Sequence, residues 1–451
     1  MAHSPDTIAA LATPAGTSAL AVIRISGSDT NRLAREVFGR APPPRSPQRG
    51  DYRDRAGAVL DDVLFTFFEG PNSYTGEDLL EISSHGNPFV AQKILEDLFA
   101  RGSRPAEPGE FTRRAFLNGR MDLSQAEAVM DLIHARGERA LAAANRQLRG
   151  ALGHHLQKLT DELLGALAQI EAQIDFPEED LPPEDETAVR AALQSLLQGA
   201  GRLLATRHYG DLLRDGIKTV IIGEPNAGKS SLLNRLVGRE RAIVSPEPGT
   251  TRDFIEERVI AGPHCLRLID TAGLNPAPGT IEKLGMAQTM ERIEESDILL
   301  LVLDGSRPAP PLPHDLLAKL TPDKTLVVLN KADLLPEAPV AVAPFELPSV
   351  VVSALTGAGI GQLTEAITRL ADGFQPDPGG DGIAINARHA HALAQAVECL
   401  TEALRKLGAK APAELLASDL RGALDAFGEI SGKIDNERML DRLFEQFCIG
   451  K

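Results

Sequence analysis

Between an apolar run, KTVIIG, and a helical one, SLLNRLVG, residues Gly223–Ser230 read GEPNAGKS, a G-x-x-x-x-G-K-S loop in the strand–loop–helix setting it requires. Its glycines let the backbone wrap a β-phosphate, with N–H groups aimed inward at a helix N-terminus. Lys229 offers a point charge to the β- and γ-phosphates, and Ser230 a hydroxyl ligand for Mg²⁺. Such a loop belongs to a mostly parallel α/β sheet. The neighbouring runs IKTVIIG, FIEERVI, CLRLID, DILLLVLDGS, TLVVLNKAD and SVVVSAL supply its strands, separated by helical patterns.

NKAD, Asn330–Asp333, follows the strand TLVVL, at the end of the sheet where open α/β folds hold ligands. A carboxylate there accepts both N–H groups on guanine's Watson–Crick edge. Adenine has no such pair, and a buried acceptor left unpaired rejects it. Asn330 grounds the loop, the stem of Lys331 packs on the ring, and SAL (Ser353, Ala354, Leu355) completes the pocket. With DTAG (Asp270, Thr271, Ala272, Gly273) between P-loop and NKAD, the expected nucleotide is GTP.

The hydrolytic residues are less ordinary. Leu274 stands where Ras-type enzymes carry a water-orienting glutamine, and it cannot hydrogen-bond. Arg252 is no obvious arginine finger, because it adjoins Thr251 in the loop expected to close over Mg²⁺. Asn226 is a candidate to hold a monovalent cation beside the phosphates, and Glu282 to position the water. For each alone, ordinary loop polarity is the competing reading.

Two textures surround this domain, one α+β and one helical. The expected divisions are 1–118, 119–213, 214–376 and 377–451. Residues 1–118 mix ALAVIRISG, VLFTFFEG and DLLEISSHG with turns and some helix, an α+β pattern. From Asp122 to about Leu213 the pattern is helical, with Leu148, Leu152, Leu156, Leu159, Leu163, Leu167, Ile170 and Ile174 on one stripe. The texture returns after Arg388, so one helical domain is split by the inserted α/β domain. FPEEDLPPEDE (Phe176–Glu186) reads as a solvated loop.

No stretch of 18 apolar residues and no secretory signal pattern is expected. The 3 cysteines, Cys265, Cys399 and Cys448, are too far apart for a disulfide framework or a zinc site, which fits a reducing cytoplasm. A net charge of −16 argues against gripping RNA by phosphates alone, so any RNA contact is local or delegated to a partner.

The whole chain resembles the MnmE (TrmE) family of tRNA-modification GTPases. VIRISG, GPNSYTGEDLLEISSHG, PGEFTRRAFLNGRMDLSQAEAV, IDFPEED, AIVSPEPGTTRDF and the terminal CIGK carry the likeness more specifically than the G motifs do. The resemblance implies a homodimer with an N-terminal domain that pairs subunits and binds 5-formyl- or 5,10-methylene-tetrahydrofolate. It implies G domains that dimerise with GTP and potassium. It also implies a complex of two chains each with MnmG, an FAD enzyme, which adds aminomethyl or carboxymethylaminomethyl groups to the tRNA wobble uridine.

Residue by residue, the likeness puts Asn226, Ala227, Gly228, Lys229, Ser230, Ser231, Ser245, Gly249, Thr250, Thr251, Asp270–Gly273, Asn330, Lys331, Asp333, Ser353 and Ala354 around GTP. Ser230 and Thr251 match the Mg²⁺ ligands, and Asn226, Ser245, Glu247 and Thr250 the potassium loop. Glu282 matches the water-positioning acid. Arg24, Glu81, Arg120 and Lys451 match the folate contacts, with Cys448 beside the one-carbon unit for chemistry or positioning. A helix from Asn436 to Phe447 is expected to bring the tail to the folate domain of the partner subunit.

The chain departs from the family pattern at Pro248, where alanine is common. Proline stiffens the loop and removes an N–H. Arg120 stands where some members carry lysine, which keeps the charge but changes donor geometry. The competing classes are a ribosome- or RNA-associated GTPase acting as a binding switch, and a dimerising mechanical GTPase without metabolite chemistry. Folate binding separates the first reading from both.

Overall fold

The computed structural model describes residues 6–40, 42–175, 183–240, 256–270, 290–335, 344–375, 382–432, 440, 443–445 and 447–450. They form two compact units, 1–130 with 428–451, and 131–427.

The first unit is built on a six-stranded sheet of β1 (Ile8–Leu11), β2 (Leu20–Ser26), β3 (Gln48–Arg53), β4 (Val59–Phe68), β5 (Leu79–His85) and β6 (Arg104–Pro105), ordered β3-β4-β5-β2-β1-β6. Every pairing is antiparallel except β1 with β6. Alternation sends Ile23, Ile25, Phe65, Leu80 and Ile82 to one face, against Leu33 of α1 (Thr30–Phe38) and Ile94 of α2 (Pro88–Ala100). Pro88 opens α2 and the Asn87 side chain caps it, accepting from the Phe89 amide at 2.9 Å. On the other face, Ile8, Ala10 and Leu79 meet Phe111 of α3 (Glu110–Leu117).

That face also buries a charged network. Arg114 pairs with Glu110 at 2.9 Å, Asp6 at 2.8 Å and Glu77 at 3.1 Å, and Arg104 joins Asp6 to Glu110. A buried charge is tolerated only when paired in this way.

The second unit holds α5 (Glu138–Leu148), α6 (Ala151–Asp175), α7 (Pro183–Ala205), α8 (Arg207–Asp215) and helix Ala387–Gly408. The unit boundaries fall inside α4 (Leu123–His134) and helix Ala413–Ser431. Two sequence expectations are corrected here. Arg149 and Gly150 interrupt the leucine stripe, so Leu148 closes α5 and the α6 stripe starts at Leu152. The acidic segment is not loop to Glu186, because Pro183, a favoured first helical residue, already opens α7.

Inserted between these helices is a sheet of β7 (Ile217–Gly223), β8 (Glu256–Ala261), β9 (His264–Asp270), β10 (Ile298–Asp304), β11 (Thr325–Asn330) and β12 (Ser349–Val351). Its order is β12-β11-β10-β7-β9-β8, all parallel but for the β8–β9 hairpin. This is the nucleotide-binding α/β architecture read from the strand runs. Among the described residues no helix is long and apolar enough to cross a membrane.

Candidate functional site

β7 runs into the loop Glu224–Gly228, and α9 (Lys229–Glu240) leaves it, so the P-loop lies where the strand–helix pattern put it. Asn226 sits at φ 63°, an unfavourable region for a side chain that recurs at functional loops. Ser230 and Ser231 are exposed on the first turn of α9, and Ala227 is buried. The Lys229 ammonium donates to the carbonyls of Gly223 and Glu224, 2.9 Å each, which holds it over the loop.

Asn330 joins three loops. Its Nδ2 donates to the Ala227 carbonyl at 2.8 Å, and its Oδ1 accepts from the Ala354 amide at 2.9 Å. A β-carbon on Gly228, whose φ is 93°, would run into that Asn330 amide, so only glycine lets P-loop and base loop meet. The Ser353 hydroxyl donates to Asp333 Oδ1 and accepts from the Thr356 amide at 3.1 Å. Lys331, at φ 67°, is held by Asp304 at 2.7 Å.

Two positioning residues escaped the sequence reading. Asp304 ends β10 and fixes Lys331. The Lys331 ammonium, with the Ser306 hydroxyl, pulls the Asp304 carboxyl down to about 2. Arg235 of α9 donates to the Ala354 carbonyl at 3.1 Å and to the Leu355 carbonyl, tying the helix to the SAL loop. The position of Asp304 in LVLDGS, at the end of an apolar strand, was an available signal. Arg235 had none.

Asp270 ends β9 with its backbone opposite Ile221 of β7. Ser245, Glu247, Pro248, Gly249, Thr250, Thr251, Arg252, Thr271, Ala272, Gly273, Leu274 and Glu282 lie outside the described residues, as does Lys451.

In the first unit, Arg24 of β2 and Glu81 of β5 are direct cross-strand partners, paired at 2.7 Å and about a quarter exposed. The Arg24 guanidinium lies 5.6 Å from the Tyr74 ring centre, and the Tyr74 hydroxyl shares a 2.8 Å bond with Thr112. Burial pushes the Tyr74 phenol up, so it remains a neutral ring. Arg120 is exposed, its stem passing 3.3 Å from where a β-carbon on Gly76 would stand, two residues from Tyr74. Tyr74, an aromatic wall, was not anticipated from sequence.

The tail returns to this unit. Phe444 and Phe447 are buried with Leu123 and Ala126, ring centres 5.2 Å apart. The Cys448 carbonyl accepts from the Gly109 amide at 3.3 Å, and Ile449 bridges Pro108. Gly450, at φ 93°, lies so close to Leu11 that a β-carbon would overlap the Leu11 carbonyl. Ala10, next to Leu11, is the cross-strand partner of Arg24. In the single chain the tail lies on its own N-terminal unit, where Phe444 and Phe447 are buried, and residues 436–439, 441, 442 and 446 of the expected helix lie outside the described residues. The Cys448 side chain is exposed.

Two family models match the chain, the GTP-binding protein TrmE N-terminus over residues 7–120 and the MnmE helical domain over residues 123–448. A relative from Opitutus terrae, called tRNA modification GTPase MnmE, is 60% identical over 447 residues and covers 99% of each chain. Another of that name, from Akkermansia muciniphila, is 43% identical over 458 residues and covers 100% of each. A solved G domain of the T. maritima FeoB iron transporter covers 34% of this chain and 98% of its own, at 26% identity and a TM-score of 0.25. At that score the fold assignment rests on the sheet topology and the family models. The chain belongs to the MnmE family, the tRNA modification GTPases.

Proposed function

We propose that this chain is a potassium-dependent GTPase, switched on when two of its G domains pair. It works in a two-plus-two complex with MnmG and its FAD. The complex adds an aminomethyl or carboxymethylaminomethyl group to C5 of the tRNA wobble uridine, in the cytoplasm, with a reduced folate as one-carbon donor.

The observation that carries this reading is the seating of Cys448–Gly450 on the sheet that holds Arg24 and Glu81. A GTPase acting only as a binding switch needs no exposed thiol built onto its N-terminal unit. The side chains there suit a folate. Arg24 and Arg120 offer guanidinium forks to its carboxylates, Glu81 accepts from pterin N–H groups, and the Tyr74 ring supplies an apolar wall. A bound folate would supply the one-carbon unit. Cys448 lies beside it for positioning or proton transfer, with Lys451 adding charge.

In the G domain, Asp333 accepts the guanine edge and Lys229 faces the β- and γ-phosphates. Ser230 and Thr251 hold Mg²⁺, and Asn226, Ser245, Glu247 and Thr250 surround K⁺. Glu282 orients the water. The exposed side chain and left-handed backbone of Asn226, at the apex of the P-loop, favour its role beside a cation.

The test compares the parent protein with Gly450→Ala and with deletion of Cys448–Lys451. Wobble-uridine modification in a reconstituted reaction with MnmG should fall by about tenfold or more. GTP hydrolysis should stay faster in K⁺ than in Na⁺. Full modification by the deletion variant overturns the folate-and-tail reading, and equal turnover in the two salts overturns the potassium reading.

A further inference from the structure

The turn after β12 carries Ser353, Ala354 and Leu355, and it is bonded within itself. The Gly357 amide donates to the Ser353 carbonyl at 2.8 Å, and the Ser353 amide to the Ala358 carbonyl at 2.9 Å. Ala354 packs into the core beside Leu232 and Leu236 of α9, but Leu355 is 77% exposed and anchors nothing. Polar contacts therefore decide how the turn is aimed. On one side they reach the NKAD loop, through the Ser353 hydroxyl to Asp333 and the Ala354 amide to Asn330. On the other side stands Arg235, half-buried on α9. Its Nε donates to the Ala354 carbonyl at 3.1 Å, and its fork also reaches the Leu355 carbonyl. Ala354 is thus gripped at both its N–H and its C=O. Among the described residues no carboxylate pairs with Arg235, so its charge serves these carbonyls, and charge-assisted bonds are stronger than neutral ones.

We propose that Arg235 is a positioning residue for guanine recognition, holding the turn so that Ser353 aims the Asp333 carboxylate at the base. This rests on the reading of Asp333 as the guanine acceptor. The helix that carries Arg235 begins at Lys229 and Ser230, which face the phosphates. Arg235 lies about 9 Å further along its axis, so one rigid rod sets the spacing between phosphate loop and base turn. The phosphate groups sit on the helix itself and do not need Arg235. The base turn does, because a recognition group misaimed by a fraction of an ångström loses most of its discrimination. Loss of Arg235 therefore weakens the hold on the base selectively, and nucleotide leaves faster.

The experiment uses the full chain with Mg²⁺ and three probes: GDP, inosine diphosphate, which lacks the base's exocyclic amine, and tripolyphosphate, which has no base. Release is followed by stopped flow and affinity by calorimetry. In Arg235→Ala, GDP should leave about tenfold faster, and the preference for GDP over inosine diphosphate should narrow about threefold or more. Tripolyphosphate affinity should stay within about twofold of the parent, a split that general destabilisation of the domain would not produce. Arg235→Lys, which keeps a cation but loses the planar fork, should fall between the two, and it carries the test where the alanine variant does not fold. The proposal is overturned if the folded variants keep the parent's release rate and base preference, or if tripolyphosphate weakens as much as GDP. Asp333→Asn, run alongside, separates the two readings. If it leaves the base preference intact, the guanine assignment fails and takes this proposal with it. If it abolishes the preference while Arg235→Ala does not alter it, only the role of Arg235 is lost.

Discussion

Along β10 of the G-domain sheet, Ile298 to Leu303 are all buried, whereas β4 of the N-terminal sheet alternates, with Val63, Phe65 and Phe67 inside and Leu64 exposed. The first strand has helices over both faces, as parallel sheets require. It can present chemistry only where strands end, and there Gly223, Asp304 and Asn330 stand. The antiparallel sheet needs one apolar face. Its other face packs Ile8, Ala10 and Leu79 on Phe111 and still carries the Arg24–Glu81 pair at mid-strand. The difference in pairing thus decides whether a site is made of loops or of a sheet surface.

The largest effect should come from the loop-built site. Asp333→Asn replaces an acceptor by a donor at the guanine edge, while the side chain can still bond Ser353. GTP affinity should fall by about a thousandfold and preference move to xanthosine triphosphate. Competition binding measures it, and an unchanged preference would remove Asp333 from the base pocket.

Next is the charged network beneath the other sheet. Arg114→Met leaves Glu77 without a cation, and Asp6 and Glu110 with Arg104 alone, and should cost about 3–5 kcal/mol in urea unfolding of the N-terminal unit. Nucleotide affinity of the G domain should hardly change. The pH profile adds a check. Burial pushes Glu110 and Asp6 up, but Arg104 and Arg114 (with the Glu107 amide at Glu110) outweigh it, and both end below their ordinary values of 4.5 and 3.8. Carboxyls depressed in the folded state contribute stability above those values and lose it as the pH falls through the folded ones. Acid sensitivity as the pH falls below those ordinary values should therefore flatten in Arg114→Met, and an unaltered slope would exclude the network as its source.

A smaller effect is expected at Asp304→Ala, which frees Lys331 without touching the base edge. GTP affinity should fall about threefold to tenfold, with guanine preference retained. A loss of preference would mean that Asp304 shapes the pocket directly.

The smallest stability change belongs to Arg24→Gln. The Arg24–Glu81 pair is partly exposed, so unfolding free energy should move by less than about 1 kcal/mol. Binding of 5-formyl-tetrahydrofolate, followed by fluorescence titration, should nonetheless weaken at least severalfold. If stability falls and folate binding does not, the pair is structural.

Much of the G domain was legible because its signals are local. A strand, a glycine loop and a helix follow one another within some twenty residues, and NKAD and SAL each sit just beyond a strand. The helical segments were legible in outline, since a leucine stripe states its own period. Its break at Gly150 was missed because Leu148 keeps the spacing across the gap. The path of the tail was illegible for another reason. Nothing in FCIGK says which surface it meets, and only the burial of Phe444 and Phe447 beside Leu123 decides it.

What this sequence determined by itself is carried by contiguous residues: the strand, glycine loop and helix of the P-loop pattern, and the strand and helix periods. Tertiary structure alone decided which distant residues meet. Asn330 reaches Ala227 and Ala354, Arg235 reaches the SAL loop, and Asp304 reaches Lys331. Arg24 falls opposite Glu81 over Tyr74. Local propensity is a property of neighbours in the chain, whereas register, loop closure and buried hydrogen bonds depend on packing between segments a hundred residues apart.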